Sequence, residues 1–405
     1  MFNRDLFSST SVRPYAFLSG FVVGLIILSV AGRLVSQTNY VVNFQRWHRY
    51  LSPDAIYYPT ASQFRMLAHE SVAPGQVMVI VGGSSVMEGV GQGSTELWTD
   101  ELQRHLGDSY KVLNYAAGGG AMTDGSGVAA QILHKDGARL IFVSDLSPFG
   151  GIAPDGLRNK YVFWDAYYKG LLPEAEGRME RIEQLGSQPG FGQDLDENRL
   201  RGMLESVFYH TDFWNWVGYN YFFTVPNVFT QMPFTIHTAP RKRFPDPVEH
   251  AIVRPLAERY QHNIDGEVNI TRGVMLTACE RNADGTLVDR PMQPPRSTPF
   301  DIDAEMALPP GVRQQTLIVL MPESPFYTDR LSDAERACYF KARPRMEVRL
   351  SWLGYHSVHA GLGMTAEDYA DRVHLLPSGG RKLAADVAVG VRSLAAELGY
   401  VTEAP

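Results

Sequence analysis

Apolar runs alternate with amphipathic segments along the chain, beginning at about residue 76. Residues Val77 to Val81 form an unbroken apolar run, which is typical of a strand buried on both faces. In the segment Thr95 to Leu106, large apolar residues recur every four positions, and Gly107 follows as a stop signal. The pattern therefore predicts a buried strand followed by an amphipathic helix.

The alternation of strands and helices continues to about residue 143 and resumes at about residue 315. Further strands are predicted at Lys111 to Tyr115, Leu140 to Val143, Gln315 to Met321 and Tyr355 to His359, and further helices at Thr123 to His134, Ser332 to Ala342 and Gly380 to Leu398. Strands that alternate with helices in this way pair in parallel, because each helix returns the chain to the same end of the sheet. We predict an α/β fold with a doubly wound, flavodoxin-like parallel sheet.

Between about residues 149 and 312 the alternation is interrupted by a large, mostly helical insert. Helical patterns occur at Glu174 to Leu185 and at Asp196 to Phe208. The segment Phe208 to Phe223 is too rich in aromatic residues for a solvated loop. Three interpretations stay open for it: a wall of a substrate groove, a surface that faces a membrane, or a second small core.

The N-terminal region contains an uncharged apolar segment, Tyr15 to Gly32, followed by Arg33. Eighteen residues of helix span roughly 27 Å, which is enough to cross a bilayer. Arg4 and Arg13 precede the segment, so the positive-inside rule keeps the N-terminus in the cytoplasm. We predict a cytoplasmic tail at 1–14, a transmembrane anchor at 15–33, a lead-in at 34–75 and a folded domain at 76–405 outside the cytoplasm. A cleaved signal peptide is the alternative, because Ser29-Val30-Ala31 has the small-x-small pattern of a cleavage site.

Overall charge and cysteine content exclude some classes of function. The chain has 37 basic and 44 acidic residues, a net charge of -7, and so lacks the basic excess of nucleic-acid-binding proteins. Cys279 and Cys338 do not have zinc-ligand spacing. Outside the cytoplasm they have two open alternatives: one disulfide or two buried thiols. The sequence also has no G-x-x-x-x-G-K-[ST] motif and no G-x-G-x-x-G after a strand. We predict neither a metal nor an organic cofactor.

The residues with the clearest chemical pattern are Asp371 and His374. A spacing of three places both side chains on one face of a helical turn, where a carboxylate can hold the imidazole Nδ1–H and leave Nε2 free to accept a proton. Among the 11 histidines, only His374 has an acidic residue three positions earlier. The alternative is that Asp371 caps a helix that begins near Leu375.

The nucleophile for such a base is predicted at the end of the first strand. Gly82 and Gly83 allow a tight turn, after which Ser85 stands at the carboxyl edge of the sheet, where ligands bind in this fold. The second strand ends in Asn114 and runs into the glycines 118–120, which let backbone N–H groups approach an oxyanion. A serine, a histidine with its carboxylate, and amide donors suit acyl transfer through a serine ester.

These segments resemble the SGNH (GDSL-type) hydrolase family. The stretch Gly83 to Gly89 is similar to that family's Gly-Asp-Ser-x-x-x-Gly, with Ser84 in the place of the aspartate, and the resemblance implies that Ser85 is the nucleophile. The stretch Asn114 to Gly119 is similar to Asn-x-Gly-x-x-Gly, with Ala116 in the place of the first glycine. Asp371 and His374 match Asp-x-x-His in full.

The resemblance also implies an oxyanion hole and shows one clear departure. The implied donors are the amides of Ser85 and Gly119 and a third group from the family's Gly-x-Asn-Asp segment. That segment is not matched: the third strand runs into Ser144 to Pro148, and Ser147 stands near the asparagine position. We take Ser147 as the candidate third donor.

In layout the chain is similar to a membrane-anchored branch of the family, which includes the protein of the lipoteichoic acid D-alanylation system. The similarity implies acyl transfer or ester hydrolysis on a polysaccharide of the cell envelope, with a membrane-bound O-acyltransferase as partner. Because Ser84 and Ser147 depart from the family pattern, the alternative is a scaffold that partners the same enzyme and has lost catalysis.

Overall fold

The computed structural model describes residues 16–24, 26–27, 61–92, 96–116, 120, 122–123, 125–146, 166, 171, 225–226, 233–234, 264–292 and 308–400. The strands are β1 Val77–Val81, β2 Tyr110–Asn114, β3 Leu140–Asp145, β4 Val225–Pro226, β5 Pro233–Phe234, β6 Cys279–Arg281, β7 Leu287–Asp289, β8 Thr316–Leu320 and β9 His356–His359. The helices are α1 Ala61–Ser71, α2 Ser85–Glu88, α3 Trp98–Leu106, α4 Gly125–Lys135, α5 Ile264–Met275, α6 Pro310–Arg313, α7 Pro325–Thr328, α8 Asp333–Trp352 and α9 Pro377–Glu397, with a 3₁₀ turn at Ala366–Asp368.

The sheet that organises the domain has five parallel strands in the order β2-β1-β3-β8-β9. The order reverses direction beside β1, so the carboxyl ends of β1, β2 and β3 meet at one edge, as in flavodoxin-like sheets. β1 is apolar throughout, and β3 and β8 are apolar except for Ser144 and Asp145 at the end of β3 and Thr316 at the start of β8, because both faces of these strands are covered. The predicted α/β fold with a parallel sheet is confirmed.

Side chains on the two faces of the sheet pack into two separate cores. Met78 and Ile80 of β1 pack in one core with α1, α4 and Leu350 at the end of α8. Val77, Val79 and Val81 of the same strand pack in the other core with α3 and α9. This alternation places helices on both faces of the sheet, which is the doubly wound arrangement.

A third core lies outside the sheet and contains a disulfide. We define the disulfide-linked module as α5, the antiparallel β6–β7 hairpin, and residues 323–345, which cover α7 and most of α8. Cys279 of the hairpin is bonded to Cys338 of α8, and Val268, Met275 and Tyr339 are buried around the bond. The disulfide alternative is therefore the correct one.

Most predicted elements differ from the structure by only a few residues at their ends. The strand at 77–81 is confirmed without change, whereas α3 begins at Trp98 and α9 begins at Pro377. The largest difference is α8, which was predicted to end at Ala342 and continues to Trp352 through Pro344. Its second half is held by packing of Leu350 in the sheet core, which outweighs the local cost of the proline.

Several predicted features lie wholly or partly outside the described residues. These are the helices Glu174 to Leu185 and Asp196 to Phe208, and the aromatic segment Phe208 to Phe223. Of the predicted anchor, residues 16–24 and 26–27 are helical, and their large apolar side chains are exposed. Within the described ranges, no helix has the length and apolar character needed to cross a membrane.

The disulfide generates a prediction about stability. Cys279 and Cys338 are 59 residues apart, so the bond restricts a long loop in the unfolded chain. By the loop-entropy relation, we expect the double variant Cys279→Ala/Cys338→Ala to lose about 4 kcal/mol of unfolding free energy. Denaturant titration monitored by circular dichroism measures the loss. A difference below about 1 kcal/mol would show that the bond does not restrict the unfolded chain in this way.

Candidate active site

Ser85 is presented by a short turn between β1 and α2. Gly83 has φ 102°, and a Cβ atom added there would stand 2.3 Å from Asp145 Oδ1, so only glycine fits this position. Ser84 then caps α2, accepting a hydrogen bond from Val86 N–H at 3.2 Å. Ser85 is consequently the first residue of a helix, and its Oγ stands at the carboxyl edge of the sheet.

His374 reaches Ser85 from the other end of the chain. The distance from Ser85 Oγ to His374 Nε2 is 2.7 Å, and His374 Nδ1 lies 2.6 Å from Asp371 Oδ2. Since an ionised carboxylate only accepts, Nδ1 carries the proton in this pair and Nε2 is the acceptor for the Ser85 hydroxyl. The three side chains predicted as catalytic therefore form one continuous hydrogen-bonded chain.

The turn that holds Asp371 and His374 is a bend instead of the predicted helical turn. Tyr369 and Leu375 form an antiparallel bridge, and Ala370 N–H donates to the carbonyl of His374 at 2.8 Å. Inside the bend, Asp371 Oδ1 accepts from the amides of Val373 at 2.9 Å and His374 at 2.8 Å. The two side chains are therefore brought together by the Asp371 carboxylate and not by helical spacing. One of its oxygens accepts from backbone amides, and the other accepts from the imidazole.

The helix-capping alternative for Asp371 is wrong. The helix α9 begins at Pro377, its N-cap position is Leu376, and no side chain caps it.

The loop after α2 and the catalytic bend also contact each other closely. Gly91 has φ 95°, and a Cβ atom there would lie 2.6 Å from the Leu375 carbonyl, so this glycine permits the loop after α2 to touch the catalytic bend.

The Asp371 carboxylate is held ionised at the site. Burial acts to raise its pKa, but the hydrogen bond and charge of His374 and the two amide donors outweigh burial and hold the pKa below its ordinary value. The acceptor of the Nδ1 proton therefore remains a carboxylate through the neutral range, which is the state that orients the imidazole.

A second carboxylate, Asp145, supports the nucleophile and was missed by the sequence analysis. Its Oδ1 accepts from Ser84 N–H at 3.0 Å, and its Oδ2 accepts from the Ser84 hydroxyl. Burial raises the pKa of Asp145 above its ordinary value, against the opposing effect of the Ser84 hydrogen bonds and the His374 charge. Asp145 thus supplies, from the end of β3, an acidic group beside the position where the resembled family carries its own aspartate.

The oxyanion-hole residues are only partly described. Ser85 N–H is at the first position of α2, where a helix has no internal acceptor, and no described residue accepts from it. Gly119 and Ser147 lie outside the described residues and stay predictions.

Asn114, which opens the second motif, is buried and donates from Nδ2 to the carbonyls of Met87 and Glu88 at 3.3 Å. It therefore braces the end of α2 from the neighbouring strand.

Metal ligation has no clear candidate among the described residues. One group there has suitable spacing, formed by Cys279, Asp289 and Cys338, and both of its thiols are joined in the disulfide. His356 and His359 face Glu397 and Glu347 on opposite sides of β9, with closest N–O distances of 3.6 and 2.8 Å.

Comparisons with known proteins add no family assignment. No family model matches the chain, and no curated protein matches it.

The electrostatics of Asp145 generate a prediction that separates activity from stability. Because its folded-state pKa lies above the unfolded value, the ionised carboxylate costs stability once the pH rises above about 3.9. We expect Asp145→Asn to have a higher unfolding free energy than wild type at pH 7, with the difference disappearing below about pH 4.

The same variant should be less reactive at Ser85. Loss of a charge-assisted hydrogen bond to Ser84, worth about 1.5 kcal/mol, should slow labelling by a serine-directed fluorophosphonate on the order of tenfold. Paired measurements of labelling rate and of denaturation at pH 4 and pH 7 test both parts. A variant that is less stable at pH 7 yet labelled at the wild-type rate would contradict the role given to Asp145.

Proposed function

We propose that this protein is a serine-dependent acyl-transfer enzyme that acts outside the cytoplasm on a polysaccharide of the cell envelope, through an acyl-serine intermediate. The observation that carries the proposal is the hydrogen-bonded chain from Ser85 Oγ through His374 to Asp371. A nucleophile, a base and a carboxylate that orients the base are the groups that such a reaction requires.

The first half-reaction uses these groups in sequence. Ser85 Oγ attacks the carbonyl carbon of an ester while His374 Nε2 takes the hydroxyl proton. The negative charge that develops on the carbonyl oxygen is stabilised by the Ser85 amide at the start of α2, assisted by Gly119 and Ser147 as proposed donors. When the C–O bond to the leaving alcohol breaks, His374 returns the proton to that oxygen, and an acyl-serine remains.

The second half-reaction decides between transfer and hydrolysis. A sugar hydroxyl or a water molecule gives its proton to His374 and attacks the carbonyl carbon of the acyl-serine. The bond between that carbon and Ser85 Oγ then breaks, and His374 returns the proton to Oγ. Water is present at about 55 M, so a transferase must bind its acceptor beside the intermediate. We favour a glycan acceptor because the apolar segment at 15–33 would hold the domain at the membrane surface, where envelope polymers are assembled.

Several features support the extracytoplasmic location. The Cys279–Cys338 disulfide is the form that cysteines take in oxidising compartments. The exposed apolar side chains of residues 17–27 suit contact with lipid, and Arg4 and Arg13 precede them. We propose a single transmembrane anchor at 15–33 and a membrane-bound O-acyltransferase as partner.

The intact hydrogen bonds of the site favour an enzyme over a scaffold that has lost catalysis. A decayed site has no constraint that keeps Ser85 within 2.7 Å of His374. One of the positions that depart from the resembled family is also used: Ser84 caps α2 and donates to Asp145.

Substitution of the nucleophile or the base tests the proposal. We expect Ser85→Ala to abolish fluorophosphonate labelling, and His374→Ala to slow it by at least about 10³-fold, because the hydroxyl loses its base. Ser109→Ala and His105→Ala are matched controls, since both residues are exposed beside the amino edge of the sheet. Equal labelling of wild type and Ser85→Ala would exclude Ser85 as the nucleophile.

Acylation in cells distinguishes a transferase from an esterase. We expect strains carrying Ser85→Ala or His374→Ala to lose acyl groups from the envelope glycan, and the wild-type enzyme to hydrolyse simple soluble esters slowly. The measurements are mass spectrometry of the isolated glycan and release of a chromogenic alcohol. Rapid ester hydrolysis together with normal glycan acylation in the Ser85→Ala strain would leave only a plain esterase.

A reporter fused after Pro405 tests the location. We expect alkaline phosphatase, which needs disulfides, to be active in this fusion, and a cytoplasm-dependent fluorescent reporter to be inactive, because Arg4 and Arg13 keep the N-terminus inside. The opposite pair of activities would place the domain in the cytoplasm.

A further inference from the structure

Arg372 is a buried charge inside the catalytic bend that the proposed reaction does not use. It stands between Asp371 and His374, and only 6% of its surface is exposed. An arginine is almost never buried unless it is paired, so its partners indicate what the bend is attached to.

The Arg372 side chain holds two carboxylates from two different segments. Its Nε donates to Glu267 Oε2 at 2.7 Å, and its Nη1 donates to Glu323 Oε1. The main chain adds a third link, because Ser324 N–H donates to the Arg372 carbonyl at 2.9 Å. All three links lead to residues outside the sheet strands: Glu267 lies in α5, and Glu323 and Ser324 lie in the loop between β8 and α7.

Each partner belongs to the disulfide-linked module. Glu267 is in the first turn of α5, and Glu323 and Ser324 immediately precede α7. The amide of Glu323 donates to Tyr339 Oη on α8 at 2.8 Å, one residue from Cys338. The bend is thus attached to the module at the place where α5, α7 and α8 meet.

The module itself is held together independently of the bend. Arg272 of α5 and Arg281 of the hairpin both pair with Glu335 in the first turn of α8, at 3.1 and 2.9 Å. The Cys279–Cys338 bond joins the hairpin to α8, and a shared apolar core lies beneath these links. The module therefore offers the bend a support whose parts are joined to one another by ion pairs, a disulfide and a shared apolar core.

We propose that Arg372 is a positioning residue, which fixes the Asp371–His374 bend to the disulfide-linked module through Glu267 and Glu323. A buried ion pair contributes little net stability compared with apolar residues of similar volume, and its best-attested use is to specify one arrangement. The bend requires such specification, since a displacement of about 1 Å at a catalytic group costs about 10²-fold in rate. This inference rests on the proposed function only in taking His374 as the base.

The test therefore includes a readout that does not depend on catalysis. Asp371 Oδ1 accepts from the amides of Val373 and His374, so hydrogen exchange at these amides reports whether the bend is formed. In the full-length protein in detergent, the exchange of the peptide that covers 369–376 is compared with that of peptides from β1 and α9.

Three variants separate positioning from simple loss of stability. Arg372→Met removes the links and leaves Glu323 buried without its counter-charge. Arg372→Met combined with Glu323→Met removes the two buried charges; Glu267 loses its partner too, but its side chain is 32% exposed and stays in contact with solvent. The third variant, Cys279→Ala/Cys338→Ala, loosens the module and keeps Arg372.

A control removes a more exposed ion pair at the opposite edge of the sheet. Arg65 of α1 donates to both carboxylate oxygens of Asp136, which follows α4 on the side where β3 begins. Arg65→Met should leave both the exchange of the 369–376 peptide and the labelling of Ser85 unchanged.

We expect all three variants to exchange the 369–376 peptide at least about tenfold faster than wild type. In Arg372→Met/Glu323→Met, which removes both buried charges, the exchange of β1 and α9 should stay unchanged, and this variant therefore decides between positioning and global loss of stability. The maximal rate of fluorophosphonate labelling at Ser85 should fall about 100-fold, while the concentration for half-maximal rate stays constant. Restoration of part of that rate by Arg372→Lys would support a role for the charge.

Two outcomes distinguish failure of this inference from failure of the proposed function. Wild-type exchange of the 369–376 peptide in the folded Arg372→Met/Glu323→Met variant would overturn the positioning role, whatever the labelling shows. Faster exchange of that peptide, in a protein whose wild type is never labelled at Ser85, would retain the positioning role and reject the proposed function.

Discussion

The hydrogen bond between Ser85 Oγ and His374 Nε2 joins two points that are 289 residues apart in the chain. Neither side chain has a catalytic use without the other, because the serine needs a base and the base needs a proton to accept. The fold of the domain brings the loop that contains Ser85 and the bend that contains His374 to the same edge of the sheet. The parallel sheet places the end of β1 there, and α9 packs against the same sheet so that the bend before it faces Ser85.

Two carboxylates on either side of this hydrogen bond have opposite environments. Asp371 accepts from the imidazole and from two amides, and its pKa is lowered in spite of burial. Asp145 receives its hydrogen bonds from Ser84, and burial outweighs them, so its pKa is raised. In many active sites two carboxylates have different environments, different pKa values and different roles. Here one carboxylate orients the base and the other holds the turn of the nucleophile.

Much of the sheet and the triad could be predicted from sequence because their signals are local. An apolar run such as Val77–Val81 indicates a doubly buried strand by itself, and Asp371 and His374 are close enough in sequence for their spacing to be informative. The role of Asp145 was not predictable in this way. It depends on β3 lying beside β1, which is a property of strand order, and sequence reasoning had directed attention to Ser147 instead.

The ion pairs of Arg372 could not be predicted from the sequence either, because its partners are distant along the chain. Its partners Glu267 and Glu323 are 105 and 49 residues distant, and nothing local marks any of the three residues as a set. The cysteines were visible as a candidate pair, yet what their bond supports could only be seen once α5 and α8 were in place. The hydrogen bonds inside the bend determine its shape but not where it lies on the domain, so its position depends on what it is attached to. In this chain the sheet core holds the two ends of the bend, Tyr369 and Leu375, and the disulfide-linked module holds Arg372 between them, so the position of His374 depends on packing that the parallel sheet alone does not provide.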